Sequence, residues 1–180
     1  MNDKKRMLLH CCCGPCASYV LEHLVPNYNI TVFFYNPGIE PAEEFEKRKS
    51  ELLRLLSEAE FAADVDFLES EYDNNTFVGT VKPLRNQPEG GPRCAICYEM
   101  RLRKTAQRAA SGRYDIFTTT MSVSPQKNAK LLNEIGQKAS EEFVVEYLSA
   151  DFKKNNGYLR SVELSKQFGL YRQEYCGCEG

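Results

Sequence analysis

The segment Ile30-Thr31-Val32-Phe33-Phe34-Tyr35 is a near-continuous run of apolar, β-branched and aromatic residues. A run of this kind suits a strand covered on both faces, as in a parallel sheet with helices on either side. It is also far too short to cross a bilayer, and no other apolar run is longer. The rest of the chain follows from that strand. Arg6 to His10 reads as a strand before it, and Gly14-Pro15 opens a helix through Leu24, because proline is favoured at the first helical position. Asn36-Pro37-Gly38 ends the central run. An amphipathic helix follows from about Ala42 to Ser57, with Phe45, Leu52, Leu53, Leu55 and Leu56 inward.

Further along, Phe61 to Leu68 alternates as a strand, and residues 80–93, with three prolines and two glycines, read as a loop. A basic helix is expected from about Ala95 to Ser111, a strand over Tyr114–Thr119 and a helix over Gln126–Ser140. A strand over Phe143–Leu148 and a helix over Arg160–Phe168 complete the pattern. Strands alternating with helices at this spacing predict a single α/β domain over residues 1–180, built on one doubly wound, mostly parallel sheet. Such three-layer sandwiches place ligands outside the carboxyl ends of their strands. Three features fall there: a cysteine cluster after the first strand, Tyr35-Asn36-Pro37 after the second, and Thr118-Thr119-Thr120-Met121-Ser122 after the fourth.

Eight cysteines make that placement chemical. The amino terminus, Met1 to Arg6, leads into a short hydrophobic run without the longer apolar stretch and cleavage site of a signal peptide, so a cytoplasmic protein is expected. In a reducing compartment, clustered thiols point to metal ligation or redox chemistry instead of a disulfide scaffold. The clusters are His10-Cys11-Cys12-Cys13-Gly14-Pro15-Cys16, Cys94-Ala95-Ile96-Cys97 and Cys176-Gly177-Cys178. Cys16 falls in the first turn of a helix, where the dipole stabilises a thiolate. Cys94 and Cys97 have the spacing of two ligands to one metal. Cys176 and Cys178 read either as ligands or as a dithiol cycling through a disulfide. Cys11 reads as a small buried hydrophobe. His10 reads as a packed strand-end residue that could also donate a proton.

Charge is uneven. The net charge is −2, but residues 40–73 carry twelve acidic and four basic side chains, whereas residues 82–113 carry eight basic and two acidic ones. The basic stretch suits either a phosphate backbone or a solvated helix face.

With these residues assembled, the chain resembles the cobalamin-independent epoxyqueuosine reductase family. The likeness rests on the three cysteine clusters, Tyr35-Asn36-Pro37, Arg93 beside Cys94, Thr118 to Asn128, Asp151-Phe152-Lys153-Lys154 and the closing Leu170 to Cys178. It implies a fold related to the HUP-like nucleotide-binding domains and a two-electron removal of the epoxide oxygen of epoxyqueuosine in the anticodon loop of tRNA. It further implies a [4Fe–4S] cluster with an additional iron close by, an electron donor that the sequence does not identify, and no membrane partner. The family pattern carries over to Cys12, Cys13 and Cys16, to Cys94 and Cys97, and to Cys176 and Cys178. Epoxide deoxygenation needs electrons and a Lewis acid for the oxygen. Candidate proton donors are His10, Tyr35 and Asp151, with Tyr35 equally able to pack or to stack on a base. Arg93, Arg101, Arg103, Lys104, Lys127, Lys153, Lys154 and Arg172 are candidate phosphate contacts.

Three other readings stand beside this one. An adenylating tRNA thiolase would need a glycine-rich phosphate loop after the first strand, where Cys11–Cys16 offers only Gly14. A thiol oxidoreductase working through Cys94 and Cys97 would be active without metal. A zinc-stabilised RNA-binding module would be colourless and contain no iron.

Overall fold

A computed structural model describes residues 3–178, so Met1 and Asn2 of the amino-terminal stretch lie outside the described residues. Five strands form one sheet in the order β3-β2-β1-β4-β5, and every neighbouring pair is parallel. The strands are β1 (Lys5–His10), β2 (Tyr28–Phe34), β3 (Asp66–Glu69), β4 (Ile116–Thr119) and β5 (Glu146–Tyr147). The helices are α1 (Gly14–Leu24), α2 (Ala42–Glu58), α3 (Asn74–Val81), α4 (Pro92–Ser111), α5 (Ala129–Phe143) and α6 (Gly157–Gln167).

Alternation along the central strands explains the three layers. Met7, Leu9 and Cys11 of the first strand and its exit, with Ile30, Val32 and Phe34 of the second, enter one core with Ala17, Val20, Leu21 of α1 and Phe45, Leu52, Leu55 of α2. Leu8, Phe33 and Tyr35 point to the opposite core, which holds Tyr98, Leu102 and Ala106 of α4 and Leu132 and Ala139 of α5. Thus β2 is covered on both faces, as its composition requires.

Four expectations need correction. Residues 60–62 form a 3₁₀ turn, so β3 is confined to Asp66–Glu69. A helix, α3, occupies Asn74–Val81, most of which the sequence left unassigned and whose last two residues fall in the expected loop. Helix α5 starts at Ala129, because the Asn128 side chain accepts from the Leu131 N–H and caps it there. Finally, β5 has only two residues, although the Leu148 N–H still reaches the Phe117 carbonyl.

Chain order makes the carboxyl ends of β1 and β4 the switch point. From β1 the chain steps outward to β2 and β3, then returns to the other side of β1 as β4. The crevice between the two diverging connections is where doubly wound sheets bind ligands. Here that crevice receives Cys11–Cys13 from β1 and Thr120–Val123 from β4.

Candidate metal centre

The cysteine turn after β1 is held from both neighbours. His10 is fully buried between them: its Nε2 lies 2.9 Å from the Tyr35 carbonyl and its Nδ1 3.0 Å from Thr119 Oγ1. A carbonyl only accepts, so Nε2 carries the proton and Nδ1 accepts from the Thr119 hydroxyl. Burial drives the His10 pKa down to about 4, and the ring is neutral at physiological pH. Asn36 donates from Nδ2 to the Cys11 carbonyl at 2.9 Å. The Tyr35-Asn36-Pro37 segment therefore acts as a clamp on the turn. Tyr35 itself is 6% exposed, stacked on Phe33 and with the Lys104 ammonium 5.6 Å from its ring centre, and burial raises its hydroxyl pKa.

Cys13 is the N-cap of α1 and Cys16 lies in its first turn. The sulfurs of Cys12, Cys13 and Cys16 all lie within 4.8 Å of one another, with Cys12 and Cys13 at 3.9 Å. Hydrogen bonds from the thiols of Cys13 and Cys16, with Arg101 and His10 beyond them, lower the Cys12 pKa far below that of an ordinary thiol. The hydrogen bond to Cys12, with burial, pushes Cys13 up to about 12. Three converging sulfurs that share one negative charge form a donor set for a soft metal. Cys11, by contrast, is fully buried in the core opposite α4, as a packed hydrophobe.

The second and third clusters meet each other. Cys94 and Cys97 occupy the first turns of α4, which begins Gly91-Pro92 much as α1 begins with Gly14-Pro15. The Gly90 N–H donates to Cys94 Sγ at 3.2 Å. Cys94, Cys97, Cys176 and Cys178 line one cavity of about 10 Å³ together with Arg93, Tyr98, Arg101 and Lys127. A larger cavity of about 270 Å³ adjoins it and is lined by Cys12, Cys16, Cys176, Arg101 and Lys127 among others. Six of the eight cysteines therefore face two neighbouring spaces, Cys13 joins them through its contacts with Cys12 and Cys16, and Cys176, Arg101 and Lys127 border both.

Arg101 is the group between them. It is 4% exposed, donates to Met121 Sδ at 3.6 Å, and has a buried Nε with no hydrogen-bond partner. No carboxylate pairs with it among the described residues. Burial disfavours its charge, and the thiols of Cys97, Cys12 and Cys176 more than offset that penalty. A buried cation without a carboxylate needs an anionic partner, and thiolates holding a metal supply one. Lys127 is placed in the same way, its charge favoured by Tyr98 and Cys176 against burial. The donor set, the N–H to sulfur bond and the buried guanidinium all fit an iron–sulfur or other thiolate-bound metal centre.

The third cluster arrives on a strap, residues 170–178, tied down by α2. Arg48, 2% exposed, donates to the carbonyls of Cys176 at 2.8 Å and Tyr175 at 3.0 Å and pairs with Glu44 at 2.8 Å. The Glu40 N–H donates to the Gly177 carbonyl, and the Tyr171 N–H donates to Glu51, both at 2.8 Å. Gly177 has a φ of +111°, a conformation that favours glycine, and a Cβ there would press on Ile39 and Arg48.

Several expected phosphate contacts are committed elsewhere. Arg93 and Arg101 are buried, so neither is a surface group. Arg103 pairs with Glu142, Lys104 with Glu71 at 2.9 Å, and Lys153 with Asp151 at 2.9 Å. Asp151 lines neither cysteine cavity. Sequence reasoning missed Arg48, although a charge between Phe45 and Leu52 on the apolar face of α2 was the signal for it. It also misassigned Arg101, which shares the inner face of α4 with Cys94, Cys97, Tyr98 and Leu102.

A family model described as "Epoxyqueuosine reductase QueH" matches residues 7–179. A protein of Streptococcus pyogenes serotype M1 named epoxyqueuosine reductase QueH is 42% identical over 174 residues, covering 96% of this chain and 68% of that one. The like-named protein of Staphylococcus epidermidis is 39% identical, covering 98% and 76%. That of Thermotoga maritima is 34% identical, covering 96% and 88%.

Proposed function

The chain belongs to the epoxyqueuosine reductase QueH family, and from that premise we propose that it reduces epoxyqueuosine in the anticodon loop of tRNA to queuosine. The overall change breaks two C–O bonds, forms one C=C bond, takes up two electrons and two protons, and releases water. The observation that carries this reading is the convergence of six cysteines on two adjoining spaces around a buried Arg101.

In this reading Cys12, Cys13, Cys94 and Cys97 hold a [4Fe–4S] cluster, and Cys16 with its two neighbours holds an additional iron. Cys12 packs on the same apolar cluster that contains Cys94, which supports grouping them. When bound, the metal centre supplies electron transfer and a Lewis acid for the epoxide oxygen. Cys176 and Cys178 are the redox pair: closing a disulfide between them releases the two electrons and two protons that the reaction consumes. An external electron donor restores the dithiol. Cys176 borders both spaces and Cys178 the smaller one, and the Cys176 carbonyl is held by Arg48.

His10 positions the turn, its only N–H engaged by the Tyr35 carbonyl. Tyr35, which borders neither space, is the candidate proton donor in this reading; it is protonated at neutral pH, and burial, by raising its pKa, makes it a weaker acid than an ordinary tyrosine. Asp151 is occupied by its ion pair with Lys153 and takes no part in this scheme. No helix among the described residues is long and apolar enough to cross a membrane. A tRNA substrate and metal-bound thiolates both suit the reducing cytoplasm.

The test is anaerobic purification with iron and sulfide quantification, followed by reaction of a chemically reduced sample with tRNA bearing epoxyqueuosine. Digested nucleosides should lose one oxygen by mass spectrometry. Cys94→Ala should lose the visible chromophore, whereas Cys176→Ala should keep it and lose turnover with the physiological reductant. Zinc in place of iron, or an iron-loaded protein that leaves the epoxide untouched, refutes the reading.

A further inference from the structure

The cavity beside Cys12 and Cys176 is not closed on its outer side. A second cavity of about 260 Å³ lies against it, lined by Pro15, Val123, Pro125, Tyr158 and Arg172 among others. The two share Cys16, Ser124, Gln126, Gln173 and Glu174. Each alone falls below the roughly 300 Å³ at which ligand pockets begin, whereas the continuous cleft lies within that range.

The three zones differ chemically. The inner chamber is lined by thiols, by the cations Arg48, Arg101 and Lys127, and by one carboxylate, Glu89. The neck is rich in acceptors. Its Gln173 Oε1 is buried without a hydrogen-bond partner, and Glu174, beside it, forms no salt bridge among the described residues. A buried orphan acceptor costs on the order of 1–3 kcal/mol, so its persistence at the mouth of a cleft points to a ligand that donates there. The outer chamber is mixed, with Pro15, Val123, Pro125 and the Tyr158 ring beside Ser161 and Arg172. Tyr158 is 39% exposed and its hydroxyl accepts from Arg172 at 3.2 Å, which fixes the ring.

Epoxyqueuosine has three parts in the same order: an epoxide ring, a secondary amine in its linking arm that is protonated at neutral pH, and a 7-deazaguanine base. Resting on the function proposed above, we propose that the neck is an ammonium subsite, in which Gln173 Oε1 and the Glu174 carboxylate accept from the arm's N–H groups. The outer chamber then receives the base, stacked on Tyr158. The neck thereby fixes how deep the substrate sits, because the ammonium is held where Gln173 Oε1 and the Glu174 carboxylate can accept from it. Gln173 and Glu174 are thus specificity-determining residues that select the amine-bearing arm.

The test uses iron-loaded protein and two nucleoside probes in titration calorimetry: queuosine, which has the arm, and 7-deazaguanosine, which lacks it. Glu174→Gln and Gln173→Met should each weaken queuosine roughly ten- to hundredfold, the worth of a hydrogen bond to a charged group. Both should leave 7-deazaguanosine unchanged. Tyr158→Ala should weaken both probes, and the visible spectrum should match wild type in all three variants. In turnover the two neck variants should raise KM for tRNA substrate. If neck variants affect both probes equally, or neither, the subsite is refuted. A wild-type enzyme that converts substrate while the neck variants keep its KM and queuosine affinity refutes the subsite alone. A wild-type protein that never converts substrate refutes the function, and the calorimetric contrast still reads the neck separately.

Discussion

Replacing Arg48 with methionine tests whether one buried side chain holds the third cysteine cluster at the site. Methionine preserves much of the stem that packs beside Phe45 and Leu52, so the core of α2 changes little. What disappears is a pair of hydrogen bonds from a cation to the Cys176 and Tyr175 carbonyls, at 2.8 and 3.0 Å, and the partner of Glu44. Hydrogen bonds to charged groups contribute roughly 1.5–3 kcal/mol each. The strap carbonyls regain water on opening, so the lower figure applies, and the pair is worth about 3 kcal/mol in strap closure. That corresponds to an open population roughly a hundredfold larger. Native-state hydrogen exchange reads it at the Glu40 amide, which donates to Gly177, and the Tyr171 amide, which donates to Glu51. Both should exchange about a hundredfold faster, whereas amides of β1 and β2 should exchange at nearly their wild-type rates. Unchanged exchange at Glu40 and Tyr171 would show that the strap is held by other contacts.

Arg101→Met removes the buried positive charge facing the thiols of Cys97, Cys12 and Cys176, so the bound centre should become harder to reduce. A shift on the order of 50–100 mV to more negative potential is expected in a redox titration followed by visible absorption, with Arg101→Lys recovering part of it; an unmoved potential sinks the idea. His10 has a folded pKa of about 4, below the ordinary 6.5, so its contribution is full above pH 6.5 and is lost as pH falls toward 4, by at most about 3 kcal/mol. Metal-free wild type should therefore lose urea resistance more steeply than His10→Gln between pH 6.5 and 4.5, and parallel slopes would refute the assignment. Gly157→Ala places a methyl group 1.8 Å from the Phe152 carbonyl oxygen and 2.6 Å from Tyr19. It should cost about 3 kcal/mol in thermal or urea unfolding, whereas Gly79→Ala, with nothing within 4 Å, should not destabilise.

Much of the frame was legible because its signals are local. The Ile30–Tyr35 run demands cover on both faces, and Gly14-Pro15 marks a helix start in the chain itself. What escaped was short or held by tertiary contacts. Helix α3 has eight residues and buries only Phe77 and Val81, one i,i+4 pair, too little for a period to emerge. Phe61 looked like the start of an alternating strand, yet residues 60–62 turn beneath α1 and α2, because the Ala62 N–H bonds back to the Ala59 carbonyl.

The candidate site divides along the same line. Two cysteine clusters sit at helix starts, so the first turns of α1 and α4 aim them by rules that the sequence displays. The third has no such element under it. Its position depends on Arg48, a cation on the inner face of α2, whose hydrogen bonds reach 127 and 128 residues along the chain. Spacing could therefore show that Cys176 and Cys178 form a pair, but not where the pair lies. This difference in support bears on mechanism. Cys12, Cys13, Cys94 and Cys97 are set by helices packed on the sheet and share its stability, which suits permanent ligands. Cys176 and Cys178 hang on a strap held by a few side chains, and a segment held in that way can open without unfolding the sheet. A redox pair must meet both the site and an external reductant, so it belongs on the part of the fold that can move.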